Sequence, residues 1–273
     1  MTSTSHVAEL AGVRFRPSGM DALERAIGDA LSSPQEQPLT IGYVNPHVIT
    51  SAAEHSKIVE HLDACDHVCV DGIGVWLALR LWRQGIERLP AYRAADQVLD
   101  GGILRGKAAV IGIEPNEIEH AVEGIRARNS SIEIVGLADG FRTDREIATM
   151  ISDSGPRVIL IGAGSPRSEQ VAVVCRQVAP NAVIFHVGAG TLKTWAGRRE
   201  HAPRILSTLG IDWLYRYVKE PHTRARYRHG IPAFIRRVMA EPTSIVTQSA
   251  PVASRGAVPA IRSLSGQDEG DLS

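Results

Sequence analysis

The chain has 273 residues and no formal net charge, because 30 Lys and Arg balance 30 Asp and Glu. This balance argues against a general nucleic-acid-binding protein, and 44% hydrophobic residues are ordinary for a globular domain. No stretch approaches the roughly 18 apolar residues of a membrane span, and we expect no signal peptide. The three cysteines lack zinc-site spacing, so we expect a cytoplasmic protein that holds no metal.

Short apolar runs alternate with helical patterns along the chain. The predicted strands are Leu39–Val44, His67–Val70, Ala108–Ile113, Ile132–Leu137, Arg157–Gly162 and Val183–Val187. The predicted helices are Met20–Leu31, Val48–Ala64, Gly74–Arg83, Ala95–Leu104, Asn116–Asn129, Asp144–Ser152, Ser168–Val178, Ala202–Leu209, Asp212–Lys219 and Thr223–Met239, the last interrupted near Gly230 and Pro232. Apolar strands that alternate with helices indicate a Rossmann-like α/β fold, a mainly parallel sheet with helices on both faces.

The composition predicts four segments. Residues 1–15 and 242–273 are expected to be disordered, the second because it is rich in Ser, Pro, Ala and Gly. Residues 16–209 are expected to form the α/β core, and residues 210–241 a C-terminal basic helical appendage. Residues 193–237 hold eleven Lys and Arg against three acids, which favours an anionic partner such as a phosphorylated ligand or a membrane surface.

Asp71 lies between a predicted strand, Val68–Val70, and a predicted helix that begins at Gly74. In open parallel sheets, ligands bind at the edge where the strands end at their carboxyl termini. A carboxylate at that edge is partly desolvated, which raises its pKa and suits it to act as a general base. The alternative interpretation is a turn residue that caps the next helix.

Two glycine-rich turns follow predicted strands, at Gly162–Pro166 and Gly188–Thr191. Such turns let backbone N–H groups approach a phosphate or a sugar. Neither turn is a complete dinucleotide-binding fingerprint, because Arg167 and Lys193 stand where a further glycine is required. Tight packing of strand against helix explains both turns equally well.

Four other polar residues have two interpretations each. Asn45 offers a donor and an acceptor to a ligand, but a residue before proline is also typical of a turn. Asp96 lies at the predicted start of a helix, where capping is the favoured explanation. Glu169 either binds sugar hydroxyls or complements a helix dipole. His186 lies in an apolar strand and is expected to be a hydrogen-bonded core histidine rather than a base.

Four arginines, Arg216, Arg224, Arg226 and Arg228, lie close together in the basic segment. Guanidinium groups suit a diphosphate because they donate paired hydrogen bonds. Tyrosines interleave with these arginines and few acids balance them, so a merely solvated helix face is less favoured. A basic helix with aromatic residues also suits an anionic membrane.

Six stretches stand out when they are taken together: VNPHVI at 44–49, VDGIGVWLALR at 70–80, AAVIGIEP at 108–115, SGPRVILIGAGSPRSEQ at 154–170, VGAG at 187–190 and LGIDWLYRYVKEP at 209–221. In these stretches the chain resembles the WecG/TagA/CpsF glycosyltransferases of bacterial cell-surface polysaccharide synthesis. The block that begins with Asp71 and the Trp-Leu-Tyr-Arg block are specific together, whereas either alone is a weak signal.

The resemblance implies an inverting, metal-independent transfer of a sugar from a UDP-sugar, without any cofactor besides this co-substrate. Typical members move N-acetylmannosamine onto a lipid-linked N-acetylglucosamine diphosphate. The resemblance assigns the catalytic base to Asp71 and diphosphate binding to Arg216 and Arg226, with Arg224 beside them. The predicted substrate-binding residues are Tyr43, Asn45, Arg93, Asp96, Gly164, Pro166, Ser168, Glu169, Gly188 and Gly190.

The chain departs from the family pattern mainly at the sugar-binding positions. Tyr43, Ser168 and Arg93 replace the usual Thr, Gln and Thr, and Thr223 replaces an expected Arg. Because Asp71 is kept, we expect the transfer chemistry to be retained while the sugar or the acceptor has changed. The acceptor is then a lipid-linked or glycan intermediate at the inner face of the membrane or, alternatively, a soluble small molecule.

Two other functions stay open at this point. A catalytically lapsed protein that binds a nucleotide sugar would keep the fold while its site decays. An NAD-dependent oxidoreductase is disfavoured by the incomplete glycine fingerprints. The sequence is compatible with peripheral membrane contact and with a homo-oligomer, and it predicts no nucleic-acid partner.

Overall fold

The computed structural model describes residues 5–81, 86–241 and 244–248. The strands are β1 Ser5–Leu10, β2 Val13–Phe15, β3 Leu39–Val44, β4 His67–Val70, β5 Gly106–Gly112, β6 Ile132–Asp139, β7 Val158–Gly162, β8 Val183–His186 and β9 Ser244–Gln248. The helices are α1 Met20–Ser32, α2 Pro46–Ser51, α3 Ser56–Ala64, α4 Ile73–Arg80, α5 Ala91–Asp100, α6 Pro115–Arg128, α7 Asp144–Ser154, α8 Arg167–Val178, α9 Ala189–Trp195, α10 Arg204–Thr208, α11 Asp212–Lys219 and α12 Arg224–Ala240, with a 3₁₀ turn at Pro221–Thr223.

Six strands form one parallel sheet in the order β4-β3-β8-β7-β5-β6. Its strands are apolar because helices cover both faces. Along β7, Val158 and Leu160 pack with α1, α5, α6 and α9, whereas Ile159 and Ile161 pack with α7 and α8. The predicted Rossmann-like α/β fold is confirmed.

The largest differences from the predicted helices concern α2 with α3, α5 and α12. The predicted helix Val48–Ala64 is two helices, since Asn45 caps α2 through its side chain and the chain turns again before α3. Helix α5 begins directly after Pro90, which favours an earlier start than the predicted Ala95. Helix α12 continues through Gly230 and Pro232 rather than breaking there.

The first and last described segments pair with each other, so strands form within residues 5–15, part of the segment that was predicted to be disordered, and residues 1–4 lie outside the described residues. Strand β1 pairs antiparallel with β2 and, from Ser5↔Gln248 to Glu9↔Ser244, with β9. Leu10 and Phe15 are fully buried. Because β1 gains a second partner, β9, from more than 230 residues further along the chain, local composition did not reveal this sheet. Strand β9 also falls within the predicted tail, and the remainder of that tail lies outside the described residues.

The C-terminal helices dock on the α/β core. Arg88 pairs with Asp212 of α11 at 3.5 Å, and Arg199 pairs with Glu220 at 2.6 Å. From α12, Arg237 donates hydrogen bonds to the backbone carbonyls of Ile49 (3.1 Å) and Ala11 (3.0 Å). The appendage therefore lies against the core at several points. Among the described helices, none combines the length and apolarity that crossing a membrane requires.

Candidate active site

Two neighbouring strands deliver polar residues to the carboxyl edge of the sheet. Asn45 follows β3 and Asp71 follows β4, and the Asp71 N–H donates to the Val44 carbonyl at 2.9 Å. The helix after β3 packs on one face of the sheet, whereas the helix after β8, the other neighbour of β3, packs on the opposite face. Connections that diverge in this way open a crevice at the strand ends, where ligands bind.

The Asp71 carboxylate is partly buried and held by two donors. The Asn45 side chain and the Ala91 backbone N–H donate hydrogen bonds to it. Burial raises the pKa of Asp71, while Arg216 and these hydrogen bonds oppose the rise. A carboxylate with a raised pKa in a crevice has the properties of a general base. Asn45 also accepts from the Val48 N–H at 3.0 Å, so it both caps α2 and orients Asp71.

Arg216, on α11, brings positive charge to Asp71. Burial alone would lower the pKa of Arg216, but Tyr227, Asp71 and Glu220 raise it above its ordinary value. The guanidinium is therefore fixed as a cation close to the candidate base. The structure thus brings together Asp71 and Arg216, which the sequence analysis placed in one site.

Tyr43 lies on β3 beside the second glycine turn. Its ring centroid lies 4.5 Å from that of His186, with the two rings tilted by 50°, and Gly188, which has a φ of +85°, approaches the same tyrosine. Burial raises the pKa of Tyr43, and the carboxylates of Glu169 and Asp71 raise it further. The Tyr43 hydroxyl therefore stays protonated, and its pKa responds to the charges of both carboxylates.

Arg226 lies near the same strand end although its side chain is exposed. Burial lowers the pKa of His47, and the charge of Arg226 lowers it further. Arg226 also opposes the raised pKa of Tyr43. His47 was not among the predicted site residues, and the Asn-Pro-His sequence after β3 was the signal for it.

The other two predicted anion-binding positions have internal partners. Arg224 is exposed and donates to the carbonyls of Tyr217 (2.9 Å) and Val218 (3.2 Å), so it closes the end of α11. At Gly190 the space that a side chain would fill is taken by the guanidinium of Arg199. The sequence analysis counted Arg199 only as part of the basic segment. Its position beside the second glycine turn was not predicted.

The first glycine turn is held together by its own side chains. Gly164 has a φ of +79°, which favours glycine, and Pro166 precedes α8. Ser168 is fully buried and accepts from the Ala163 N–H at 2.9 Å. Contact of Ser168 with substrate stays a prediction. Glu169 is also buried and accepts a hydrogen bond from the Ser165 hydroxyl.

Asp96 lies in the middle of α5 rather than at its start. Its carboxylate accepts from Trp195 Nε1 at 2.8 Å and pairs with Arg128 at 2.7 Å and His201 at 3.1 Å. Burial alone would raise the pKa of Asp96, but these hydrogen bonds outweigh it and hold the pKa below its ordinary value. Asp96 therefore joins parts of the core. Arg93 is exposed on the same helix, and the contacts of both residues with substrate stay predictions.

Behind Tyr43 lies a buried group of polar side chains. His186 is buried as expected, but neither ring nitrogen has a hydrogen-bond partner among the described residues, which corrects the expectation of a hydrogen-bonded histidine. Its ring lies 5.8 Å from that of His61. Burial lowers the pKa of each imidazole to about 3, so both are neutral at pH 7.

A cavity of about 560 Å³ opens along the same edge of the sheet, at the ends of β5, β6 and β7. Both glycine turns contribute to its walls, together with cationic and anionic side chains. Its lining includes Gly112, Glu114, Phe141, Arg142, Gly162, Ala163, Arg167, Ala189 and Lys193. Within the described ranges, no three His, Cys, Asp or Glu residues are grouped so that they could hold a metal ion.

Comparison with known proteins identifies the chain. The family model described as "Glycosyl transferase WecG/TagA/CpsF family" matches residues 8–246. An N-acetylglucosaminyldiphosphoundecaprenol N-acetyl-beta-D-mannosaminyltransferase of Bacillus spizizenii is 27% identical over 200 residues, which cover 71% of this chain and 76% of the relative. The enzyme of the same name from Bacillus subtilis is 26% identical over 204 residues, covering 74% and 79%. The chain belongs to the WecG/TagA/CpsF family and is a glycosyltransferase.

Proposed function

We propose that the protein transfers N-acetylmannosamine or a related hexose from a UDP-sugar to an acceptor hydroxyl, with inversion and without a metal ion. The acceptor is a lipid-linked diphosphate or glycan intermediate of cell-surface polysaccharide synthesis, met at the cytoplasmic face of the membrane. The two Bacillus relatives carry names that describe mannosaminyl transfer to a lipid diphosphate. The observation that carries the proposal is a carboxylate at the carboxyl edge of the sheet, Asp71, whose pKa is raised by burial and lowered by the nearby charge of Arg216.

The chemistry follows from that pairing. Asp71 accepts the proton of the acceptor hydroxyl as its oxygen bonds to the anomeric carbon. The bond from that carbon to the diphosphate breaks, and UDP departs with the electron pair. A positioned general base contributes typically 10² to 10⁴ in rate. One carboxylate on the face opposite the leaving group serves a single displacement, which inverts the anomeric centre.

The departing diphosphate gains negative charge that cations must stabilise. Arg216 and Arg226 both act on the pKa of Tyr43 on β3, and Arg216 also interacts with Asp71 after β4. These two arginines are our candidates for this role. The cavity at the ends of β5, β6 and β7 is large enough for a nucleoside, since ligand pockets typically measure ~300 to 1,000 Å³. We place the nucleoside there, with the diphosphate directed towards the arginines.

The decisive experiment measures UDP release from a panel of UDP-sugars with and without a lipid-linked N-acetylglucosamine diphosphate. Acceptor-dependent release supports transfer, whereas binding of UDP-sugars without release supports the lapsed alternative. A soluble acceptor that works as well as the lipid would replace the lipid-linked one in the proposal.

Arginine substitution tests the diphosphate site separately. Arg226→Ala is expected to weaken UDP binding in a calorimetric titration while leaving the melting temperature unchanged, because the side chain is exposed. The matched control is Arg236→Ala, an exposed arginine further along α12. Unchanged UDP affinity in Arg226→Ala would count against diphosphate binding by Arg226.

A further inference from the structure

One aromatic side chain connects the last helix to the turn that carries Asp71. Phe234 of α12 is 5% exposed, whereas its neighbour Ile235 is 50% exposed. Phe234 packs in the apolar cluster that includes Val48 and Ile49 of α2 and Val75 of α4. These helices follow the turns that carry Asn45 and Asp71. Phe234 therefore belongs to the apolar cluster that supports both turns.

The two glycines after Asp71 leave room for this packing. A Cβ at Gly74 would lie 3.2 Å from Phe234 Cε1 and 3.2 Å from Pro46 Cγ, and a Cβ at Gly72 would collide with the Pro46 ring. Neither glycine has a positive φ, so backbone conformation does not require them. Because neither glycine has a side chain, the Asp71 turn can instead contact Phe234 and Pro46 closely.

A second contact from the appendage reaches the same turn. Gly210 has a φ of +75°, and a Cβ there would lie 2.8 Å from Ile73 Cδ1. Two residues later α11 begins, the helix that carries Arg216. The appendage thus contacts Ile73 at its start and Gly74 through its last helix.

We propose that Phe234 is a positioning residue: by packing on Gly74 and Pro46 it holds the Asp71 carboxylate in register with Asn45 and Arg216. The inference rests on the proposed function, because it concerns the same base. Misplacing a reacting group by ~1 Å can cost ~10²-fold in rate. Phe234 is buried in an apolar cluster, so we expect its loss to change kcat and to leave the KM for donor nearly unchanged.

The rest of α12 keeps its place when Phe234 is trimmed. Arg237 donates to the carbonyls of Ile49 and Ala11, and its Nε lies 3.6 Å from Glu241. These bonds do not involve the phenyl ring. We therefore expect Phe234→Ala to fold with a docked helix and a loosened Asp71 turn.

The first test separates kcat from KM. Phe234→Ala is expected to lower kcat about 10- to 100-fold while the donor KM stays within about twofold. Phe234→Leu restores most of kcat because it refills the space. The matched control, Ile235→Ala, truncates a half-exposed apolar residue of the same helix and should leave kcat unchanged.

The second test uses the close approach at Gly74. Gly74→Ala pushes a methyl group against the Phe234 ring and should lower kcat. In the Phe234→Leu background, Gly74→Ala should lower kcat by a smaller factor than it does in the wild type, because leucine leaves more room beside residue 74. Purely additive effects in this cycle would mean that the two residues do not act together.

The third test does not depend on activity. The Asp71 N–H bonds the Val44 carbonyl at 2.9 Å and the Trp76 N–H bonds the Gly72 carbonyl at 3.0 Å, so hydrogen exchange across residues 71–76 reports on the turn. Phe234→Ala should speed this exchange by about tenfold or more, and Ile235→Ala should not.

The outcomes distinguish the two proposals. A wild-type protein that releases no UDP overturns the proposed function, while faster exchange in Phe234→Ala still supports the packing role. Full kcat with wild-type exchange in Phe234→Ala overturns the inference and leaves the transferase intact. If Phe234→Ala does not fold, the cycle of Gly74→Ala with Phe234→Leu decides, and additivity there overturns it.

Discussion

Replacing Asp71 by Asn removes the candidate base without changing the size of its side chain. The Ala91 N–H can still donate to the remaining oxygen, so the local fold is kept. Loss of a general base typically lowers the rate by ~10² to 10⁴, which corresponds to ~3 to 5 kcal/mol of transition-state stabilisation. We expect kcat to fall by that factor, with donor affinity nearly unchanged.

Asp71→Asn is expected to keep or raise the stability of the folded protein although it lowers activity. Because burial raises the pKa of Asp71, the folded protein holds this proton more tightly than the unfolded chain does. Its stabilisation is fully present below the unfolded pKa and is lost as the pH rises through the folded pKa. At pH 7 the ionised Asp71 therefore costs folding free energy. Asp71→Asn removes that cost, so its melting temperature should equal or exceed that of the wild type.

The assay combines UDP release with thermal unfolding at pH 7. Asp153→Asn, which alters an exposed carboxylate on α7, is the matched control and should change neither quantity. Wild-type turnover in Asp71→Asn would refute the assignment of the base. A variant that is both inactive and strongly destabilised would refute the reasoning on burial, because the carboxylate would then be structural.

Three further predictions follow from the charges and burial. Arg216→Gln should move the acidic limb of the kcat–pH profile to higher pH, since the charge of Arg216 opposes the raised pKa of Asp71. An acidic limb that does not move would show that Arg216 does not influence the ionisation that limits kcat. Asp96→Ala should lower stability by ~1 to 3 kcal/mol at pH 7. Because the pKa of Asp96 lies below its ordinary value, its contribution is present above the unfolded pKa and disappears as the pH falls through the folded pKa, which acid-dependent unfolding curves will check. All three cysteines are buried and burial raises the pKa of their thiols, so a thiol reagent should modify the native protein far more slowly than the unfolded chain, and equal rates would contradict their burial.

The sheet could be predicted where local pattern and tertiary environment agree. Strands Leu39–Val44 and His67–Val70 were predicted residue for residue, because both are mainly apolar and the next residues are Asn45 and Asp71. Helix Ala189–Trp195 was missed because its first residues are Ala and Gly after a glycine turn. Packing of Leu192 and Trp195 in the core stabilises this helix where local propensity does not.

In the candidate site, too, some features could be predicted from local pattern and others could not. Asn45 and Asp71 could be placed together because parallel strands bring their carboxyl ends to one edge. The partners that a side chain chooses could not be predicted, since they depend on distant segments. Arg224 bonds the end of its neighbouring helix, Ser168 turns inward to its own loop, and Arg199 fills the space at a glycine turn.

The properties of the candidate base depend on parts of the chain that lie far apart. Asp71 and Arg216 are separated by more than half of the sequence, and the appendage that carries Arg216 also packs on Ile73 beside the base. Burial raises the pKa of Asp71, and the appendage supplies the guanidinium that opposes this rise. The two effects act on the same proton with opposite sign, so loss of the Arg216 charge would leave burial unopposed. If Asp71 is the base, as proposed, we therefore expect displacement of residues 210–241 to impair its ionisation.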